Sequence, residues 1–168
     1  MRKEINMTEN VVIGIGDYAV SSDGSPLSTV GLGSCIGIVL YDSRNKIAGL
    51  SHIMLPEMGT KQDRIGKYAD TAIPALIDEI KKKGGTPQFC KAKIAGGASL
   101  FAFKDDKLQI GKRNAEAVES ILKQCRIRIV GKDVGGNRGR TITFYPETEE
   151  LHIKMVKKEA KEPNIKVI

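Results

Sequence analysis

The stretch "STVGLGSCIGIVLYDSRNKIAGLSHIMLP", residues 28–56, predicts the centre of the fold and carries the two most reactive side chains of the chain. Two apolar, β-branched runs, residues 35–41 and 46–52, flank a cluster of turn-forming residues, a pattern typical of a β-hairpin. If Ser43 and Arg44 form the centre of the turn, Cys35 lies opposite His52. Directly opposed residues have Cβ atoms about 4.5–5.5 Å apart. The hairpin therefore predicts a thiol beside an imidazole, although a slip of one residue would put them on opposite faces.

The rest of the chain adds further strands and two helices to this hairpin. Helical spacing of apolar residues predicts helices within segments 68–85 and 114–125. Many strands with two amphipathic helices predict an α+β (layered α/β) domain with a mixed β-sheet core and two main flanking helices. Strand order is left open. The β-branched runs that predict strands are residues 11–15, 27–30, 35–41, 46–54, 91–95, 127–130, 141–145 and 151–156.

The length of 168 residues predicts a single domain, with its core over residues 11–156. Residues 1–10 are expected to be a loose N-terminus and residues 157–168 a basic C-terminal tail. The three cysteines are widely spaced and form no CxxC motif, which argues against a disulfide framework and against a zinc ribbon. The N-terminus lacks the apolar centre of a signal peptide, and no apolar run has the length of a membrane span, so we expect a cytoplasmic protein without membrane insertion.

The formal net charge of +7 favours acidic partners without identifying them. No arginine-rich tract with interleaved aromatic residues occurs, so nucleic-acid binding is not expected. Gly14 and Gly16 match only part of a dinucleotide fingerprint, and the loop at Gly135–Gly139 lacks the residues of a P-loop. That loop is interpreted either as a tight connection between strands or as a segment that brings Arg138 or Arg140 to acidic groups of a partner.

Cys35 and His52 have two possible interpretations. In the functional one, Cys35 follows a glycine-rich turn whose amides near Ser34 and Cys35 are candidates for an oxyanion hole. His52 would then lower the pKa of the thiol and later protonate a leaving group, and Thr29 is a nearby hydroxyl. In the other interpretation, Cys35 is a small buried hydrophobe and His52 a hydrogen-bonded strand residue. The residues alone leave both open.

Six segments, in order along the chain, resemble the CheD family of chemoreceptor glutamine deamidases. Together they span nearly all of residues 11–156. A single GxGSC motif is weakly specific, whereas six ordered segments are strongly so. The segments are "GLGSC" at 31–35, "HIMLP" at 52–56, "KYAD" at 67–70, "KIAGGASLF" at 93–101, "IGKRNAEAV" at 110–118 and "DVGGNRGRTITF" at 133–144.

The resemblance implies a cysteine hydrolase with an architecture like that of cytotoxic necrotizing factor, acting on glutamines of chemoreceptor signalling helices. Carried over to matching positions, Cys35 is the nucleophile, His52 the general base and acid, and Thr29 the residue that orients His52. The main-chain amides of Gly33, Ser34 and Cys35 would hold the oxyanion.

The resemblance implies neither a metal nor an organic cofactor. It also implies a weak methylesterase activity. The family also implies binding to a CheC-type phosphatase. An alternative function is therefore a non-catalytic module that binds and modulates such a phosphatase. Phe101, Arg138 and Arg140 are weaker candidates for substrate or partner contacts, and for Phe101 a place in the core is favoured over an exposed contact.

Overall fold

A computed structural model describes residues 9–99, 109–156 and 165–168 of the chain. Within these ranges it contains ten strands and two α-helices. The helices are α1, Ala69–Lys82, and α2, Ile110–Gln124. The strands are β1 Val11–Ile13, β2 Tyr18–Ser21, β3 Leu27–Leu32, β4 Ile36–Asp42, β5 Ile47–Ile53, β6 Cys90–Gly96, β7 Arg128–Val134, β8 Arg140–Tyr145, β9 Glu150–Met155 and β10 Ile165–Val167.

The strands divide between two five-stranded sheets. Sheet A has the order β1-β3-β8-β9-β10, and sheet B has the order β2-β5-β4-β6-β7. Both sheets are mixed, because β1 pairs in parallel with β3 and β6 in parallel with β7. The α+β class with two main helices is thereby confirmed, and the strand order that the sequence left open is defined.

Successive side chains along the central strands of sheet B point alternately to its two faces. Sheet B therefore has a hydrophobic core on each face, and the protein has three layers. Ile36, Ile38 and Leu40 of β4 pack with the apolar faces of α1 and α2. Val39 and Tyr41, which point the other way, pack with residues of sheet A. Because successive side chains of a strand point to opposite faces, β4 is apolar on both sides and fully buried. The layers are therefore helices, sheet B and sheet A.

The predicted hairpin is present, but its register differs from the prediction. Gly37 pairs with His52, and Ile36 pairs with Ile53, so Cys35 does not lie directly opposite His52. The carboxylate of Asp42 accepts hydrogen bonds from the amides of Arg44 and Asn45 and from Asn45 Nδ2, which stabilises a longer turn than the one centred on Ser43 and Arg44. The shift is an even number of residues, so the two side chains still share a face.

Each of the eight predicted strands overlaps an observed one, whereas β2 and β10 were not predicted. Strand β10 lies within the segment expected to be a loose tail, and Ile165 and Val167 pair with β9. The expectation of a tail is therefore wrong for residues 165–168. No helix in the described part of the chain is long and apolar enough to span a membrane.

Candidate active site

Thr29 and His52 meet at the interface between the two sheets. Thr29 lies on β3 of sheet A and His52 on β5 of sheet B, and both side chains are fully buried. Thr29 Oγ1 lies 2.7 Å from His52 Nδ1. This hydrogen bond joins the sheets and fixes the orientation of the imidazole ring.

The second contact of Thr29 defines the tautomer of His52. Thr29 Oγ1 carries one hydrogen, and it donates this hydrogen to the carbonyl oxygen of Ile13 at 2.9 Å. His52 Nδ1 must therefore be the donor in its contact with Thr29, which leaves the lone pair on Nε2. His52 Nε2 is buried and has no hydrogen-bond partner among the described residues. The imidazole is thus arranged as a proton acceptor at Nε2.

Burial keeps the imidazole neutral at physiological pH. It lowers the pKa of His52 from 6.5 to about 4, an effect that the nearby Asp17 carboxylate opposes only in part. Nε2 is therefore available to take up a proton at pH 7.

Cys35 immediately precedes β4 and is half-buried at the same interface. It lies diagonally across from His52, because Gly37, two residues further on the same face, is the direct partner of His52. Diagonal neighbours in a sheet lie about 7–8 Å apart at Cα, within reach of long side chains. The register therefore places Cys35 and His52 on the same face of sheet B, and Sγ and Nε2 form no hydrogen bond. Their membership of one catalytic site stays a prediction.

The sequence predicts that His52 lowers the pKa of Cys35 and so holds it as a thiolate, but the structure indicates the opposite shift. Burial raises the pKa of the Cys35 thiol above 9.0, and its own backbone N–H offsets only part of this effect. Burial thus favours the neutral thiol and the neutral imidazole, because it penalises the charged form of each group.

The glycine-rich turn before Cys35 supplies two of the three predicted oxyanion donors. The Gly33 N–H donates to the carbonyl of Gly31 at 3.1 Å, so Gly33 is not available as a donor. The N–H groups of Ser34 and Cys35 have no backbone acceptor within the described ranges. These two amides remain candidates for holding an oxyanion.

The structure separates the three weaker contact candidates. Arg140 is only 3% exposed; it pairs with Asp133 and donates to the carbonyls of Gly96 and Gly135, so it supports the fold and is not available to a partner. Its charge is buried because Asp133 neutralises it. Arg138 is exposed on the loop between β7 and β8. Phe101 lies outside the described residues.

That loop borders the Cys35 end of the molecule. The carbonyl of Gly136 accepts a hydrogen bond from the Ser99 N–H at 2.9 Å, and Gly97 in turn donates to the Cys35 carbonyl. Arg138 is therefore on the same side of the protein as the thiol.

Two contributors to the site were missed by the sequence analysis. The segment that resembles part of a dinucleotide fingerprint holds the backbone of His52: Gly16 N–H donates to its carbonyl at 2.8 Å, and Asp17 accepts from its N–H at 3.1 Å. Asn114 of α2 is fully buried and donates to the carbonyls of Ser34 and Met54. Asn114 lies among charged helix residues in "GKRNAE". The only sequence feature that could have identified it is its place on the apolar face of the helix.

A cavity of about 350 Å³ lies at the opposite end of the sheets, beside the hairpin turn. It is lined by residues that include Tyr41, Asp42 and Glu149, and by none of Thr29, Cys35 and His52. Within residues 9–99, 109–156 and 165–168, no three His, Cys, Asp or Glu side chains are arranged to hold a metal ion.

Comparison with known proteins identifies one family. The family model described as CheD chemotactic sensory transduction matches residues 54–155. The chemoreceptor glutamine deamidase CheD of Halalkalibacterium halodurans is 45% identical over 161 residues, covering 93% of this chain and 99% of that protein. The chemoreceptor glutamine deamidase CheD of Thermotoga maritima is 45% identical over 145 residues, covering 86% of this chain and 91% of its own length.

The family model begins after His52, but the two relatives extend over most of the chain. A solved structure, that of the Bacillus licheniformis hypothetical protein YfiH, aligns with a TM-score of 0.46 and 14% identity, covering 71% of this chain and 49% of that one. Nothing about function follows from a similarity at that level.

Proposed function

The chain belongs to the CheD family, and we propose that it is a glutamine deamidase of chemoreceptors in which Cys35 is the nucleophile. The observation that carries this proposal is the Thr29–His52 hydrogen bond, which leaves the lone pair of Nε2 on the face that Cys35 shares. A structural histidine would be expected to satisfy both ring nitrogens. The names of the CheD relatives support glutamine side chains as the substrate.

The first half of the reaction forms a thioester. The Cys35 sulfur attacks the carboxamide carbon while its proton moves to His52 Nε2, and the carbonyl oxygen becomes an oxyanion. The N–H groups of Ser34 and Cys35 donate to this oxyanion. Protonated His52 then gives its proton to the amide nitrogen, the C–N bond breaks, and ammonia leaves.

Transfer of the proton during attack fits the pKa values of the site. Because burial raises the pKa of Cys35 and lowers that of His52, neither charged form accumulates before the substrate arrives. The transition state, in which charge develops on sulfur and on the ring together, is the state that the pair can stabilise.

The second half hydrolyses the thioester. His52 Nε2 takes a proton from water as the oxygen attacks the thioester carbon, and the same two amides hold the new oxyanion. The C–S bond then breaks, the sulfur recovers its proton from His52, and the product is a glutamate side chain. The same steps would cleave a methyl ester, which is the weak second activity that the family resemblance implies.

Substrate recognition is proposed to be electrostatic. The net charge of +7 and the exposed Arg138, beside the Cys35 end, favour an acidic receptor helix. A cytoplasmic location, the absence of nucleic-acid binding and binding to a CheC-type phosphatase stay predictions. No feature of the described residues favours the non-catalytic alternative.

The proposal is tested by incubating the protein with receptor signalling domains and analysing their peptides by mass for conversion of amide to acid. Cys35→Ala is expected to abolish ammonia release without changing the thermal midpoint. Cys125→Ala is the matched control, because Cys125 is exposed at the end of α2 and away from the site, and it should retain full activity. Equal deamidation by Cys35→Ala and the wild type would refute the role of Cys35, whereas phosphatase modulation that survives in Cys35→Ala would favour the binding module.

A further inference from the structure

The carbonyl groups of Gly33, Ser34 and Cys35, a segment named here the nucleophile loop, are all bound by the protein. The Ala98 N–H donates to the Gly33 oxygen at 2.8 Å, and the Gly97 N–H donates to the Cys35 oxygen at 2.8 Å. Between them, Asn114 Nδ2 donates to the Ser34 oxygen at 2.9 Å. Each carbonyl therefore has a defined direction, and only the central one is held by a side chain.

The direction of a carbonyl fixes the direction of the next amide. A peptide unit is planar and trans, so its C=O and N–H point in opposite directions. Because Asn114 holds the Ser34 oxygen, the Cys35 N–H points away from Asn114. The Ser34 N–H similarly points away from Ala98. These are the two amides that have no backbone acceptor within the described ranges.

Asn114 also connects the nucleophile loop to the strand of the base. Its Nδ2 donates a second hydrogen bond, of 2.8 Å, to the carbonyl of Met54, which follows the end of β5. Both hydrogens of this amide are thus used by backbone carbonyls on the two segments that carry Cys35 and His52. The start of α2 lies close enough for this because Gly111 has no side chain; a Cβ there would lie 2.5 Å from the Gly97 oxygen.

The oxygen of the Asn114 side-chain amide, Oδ1, lowers the stability of the folded state. Asn114 Oδ1 is buried and has no hydrogen-bond partner among the described residues. An unsatisfied buried acceptor destabilises the folded state, and such groups require an explanation beyond packing. An apolar residue of similar volume would avoid that cost but could not hold the Ser34 carbonyl.

We propose that Asn114 is a positioning residue that fixes the plane of the Ser34–Cys35 peptide, so that the Cys35 N–H is directed at the oxyanion of the tetrahedral intermediate. This inference rests on the proposed function, in which that intermediate forms. Asn114 does not touch the substrate; it acts through the backbone of the nucleophile loop.

The test compares two reactions of Cys35 that differ in the need for an oxyanion hole. Acylation by p-nitrophenyl acetate passes through a tetrahedral oxyanion, with p-nitrophenolate as leaving group. Alkylation by iodoacetamide is a displacement at a saturated carbon and forms no oxyanion. Both products are quantified by mass on the peptide that contains Cys35, so Cys90 and Cys125 do not contribute.

Asn114→Ala and the milder Asn114→Ser are expected to slow acylation about 10- to 100-fold, because a misdirected donor loses much of its effect on the oxyanion. Alkylation should remain at the wild-type rate. Val118→Ala is the matched control: Val118 lies one turn further along α2, is fully buried and belongs to the apolar core between the helices and sheet B. It should lower the thermal midpoint while leaving the ratio of the two rates unchanged.

An unchanged ratio in the Asn114 variants, or an equal fall in both rates, would overturn the inference, since either result makes Asn114 a purely structural residue. If the variants do not fold, amide hydrogen exchange of the wild type provides the decision. The amides of Ser34 and Cys35 should exchange much faster than those of Gly97 and Ala98, and strong protection of the Cys35 amide would overturn the inference. None of these measurements uses a receptor, so failure of receptor deamidation is distinguished from failure of this proposal.

Discussion

His52 and Cys35, the proposed base and nucleophile, are held by the protein in different ways. His52 lies within a central strand, is fully buried, and is bound both through its backbone, by Gly16 and Asp17, and through its ring, by Thr29. Cys35 precedes its strand and is half-buried, and its thiol forms no hydrogen bond with His52 Nε2. Only its backbone is fixed.

The difference matches the tasks that the proposed mechanism gives to the two groups. A base that transfers protons twice in one turnover benefits from a fixed ring and a fixed tautomer, which a strand and an orienting hydroxyl provide. A nucleophile must reach the substrate carbon and then carry the acyl group, so its side chain needs freedom while its amide stays in place. Each of the following predictions disturbs one side of this comparison and leaves the other intact.

The largest effect is expected on the histidine side. His52→Gln removes the proton acceptor and should lower kcat about 10²- to 10⁴-fold, the usual range for general acid–base groups. Alkylation of Cys35 by iodoacetamide at pH 7 should be nearly unchanged, because burial raises the pKa of Cys35 and so favours the neutral thiol with or without His52. A parallel fall in alkylation would show that a thiolate–imidazolium pair does exist.

On the cysteine side, Gly96→Ala should displace the nucleophile without touching the histidine. A Cβ at Gly96 would lie 2.2 Å from the Cys35 carbonyl oxygen, and φ there is +116°. Misplacement of a reacting group by about 1 Å costs on the order of 10²-fold in rate. Gly59→Ala, at φ +64° with nothing within 4 Å, carries the strain without the clash and is the control. Equal kcat values for the two variants would contradict this prediction.

A smaller effect is expected when only the orientation of the ring is disturbed. Thr29→Val keeps the shape of the side chain but removes its hydrogen bonds to His52 and Ile13. Loss of a buried partner costs about 1–3 kcal/mol, and we expect kcat to fall about 10- to 100-fold. Thr29→Ser keeps the hydroxyl and should retain most of the activity; if serine is as poor as valine, packing rather than hydrogen bonding explains the loss.

The last predicted effect is on stability rather than on rate, and it depends on pH. The pKa of His52 falls from 6.5 to about 4 on folding, so between these values the unfolded chain binds a proton that the folded protein does not. Stability is therefore lost as the pH falls from 6.5 towards 4, by about 3 kcal/mol in total. Urea denaturation of the wild type and of His52→Gln at both pH values isolates this contribution. An equal loss in both proteins would mean that His52 titrates normally.

Much of this site follows from local sequence patterns. The hairpin, both helices and the common face of Cys35 and His52 were predicted, because periodicity of two and turn-forming residues are local signals. The register was not, since it depends on how the Asp42 carboxylate satisfies the amides of the turn. An even shift preserved the common face, whereas a shared catalytic site stays a prediction.

The residues that were misjudged depend on distant contacts. Arg140 looked like a surface charge, but it is buried with Asp133 and donates to the carbonyl of Gly96, which is 44 residues away in the chain. The pKa of Cys35 was expected to fall, because the sequence shows a nearby imidazole but not the loss of solvent around it. Asn114 was overlooked because its two hydrogen bonds are to carbonyls of Ser34 and Met54, which are far away in the chain.

The bond between Thr29 and His52 has a consequence for quality control. One partner comes from each sheet, so the base acquires its correct tautomer only when the two sheets have closed on each other. A nascent or partly melted chain, in which the sheets are still apart, carries an ordinary thiol and an unoriented imidazole. Under the proposed mechanism, hydrolytic activity therefore requires that both sheets be assembled.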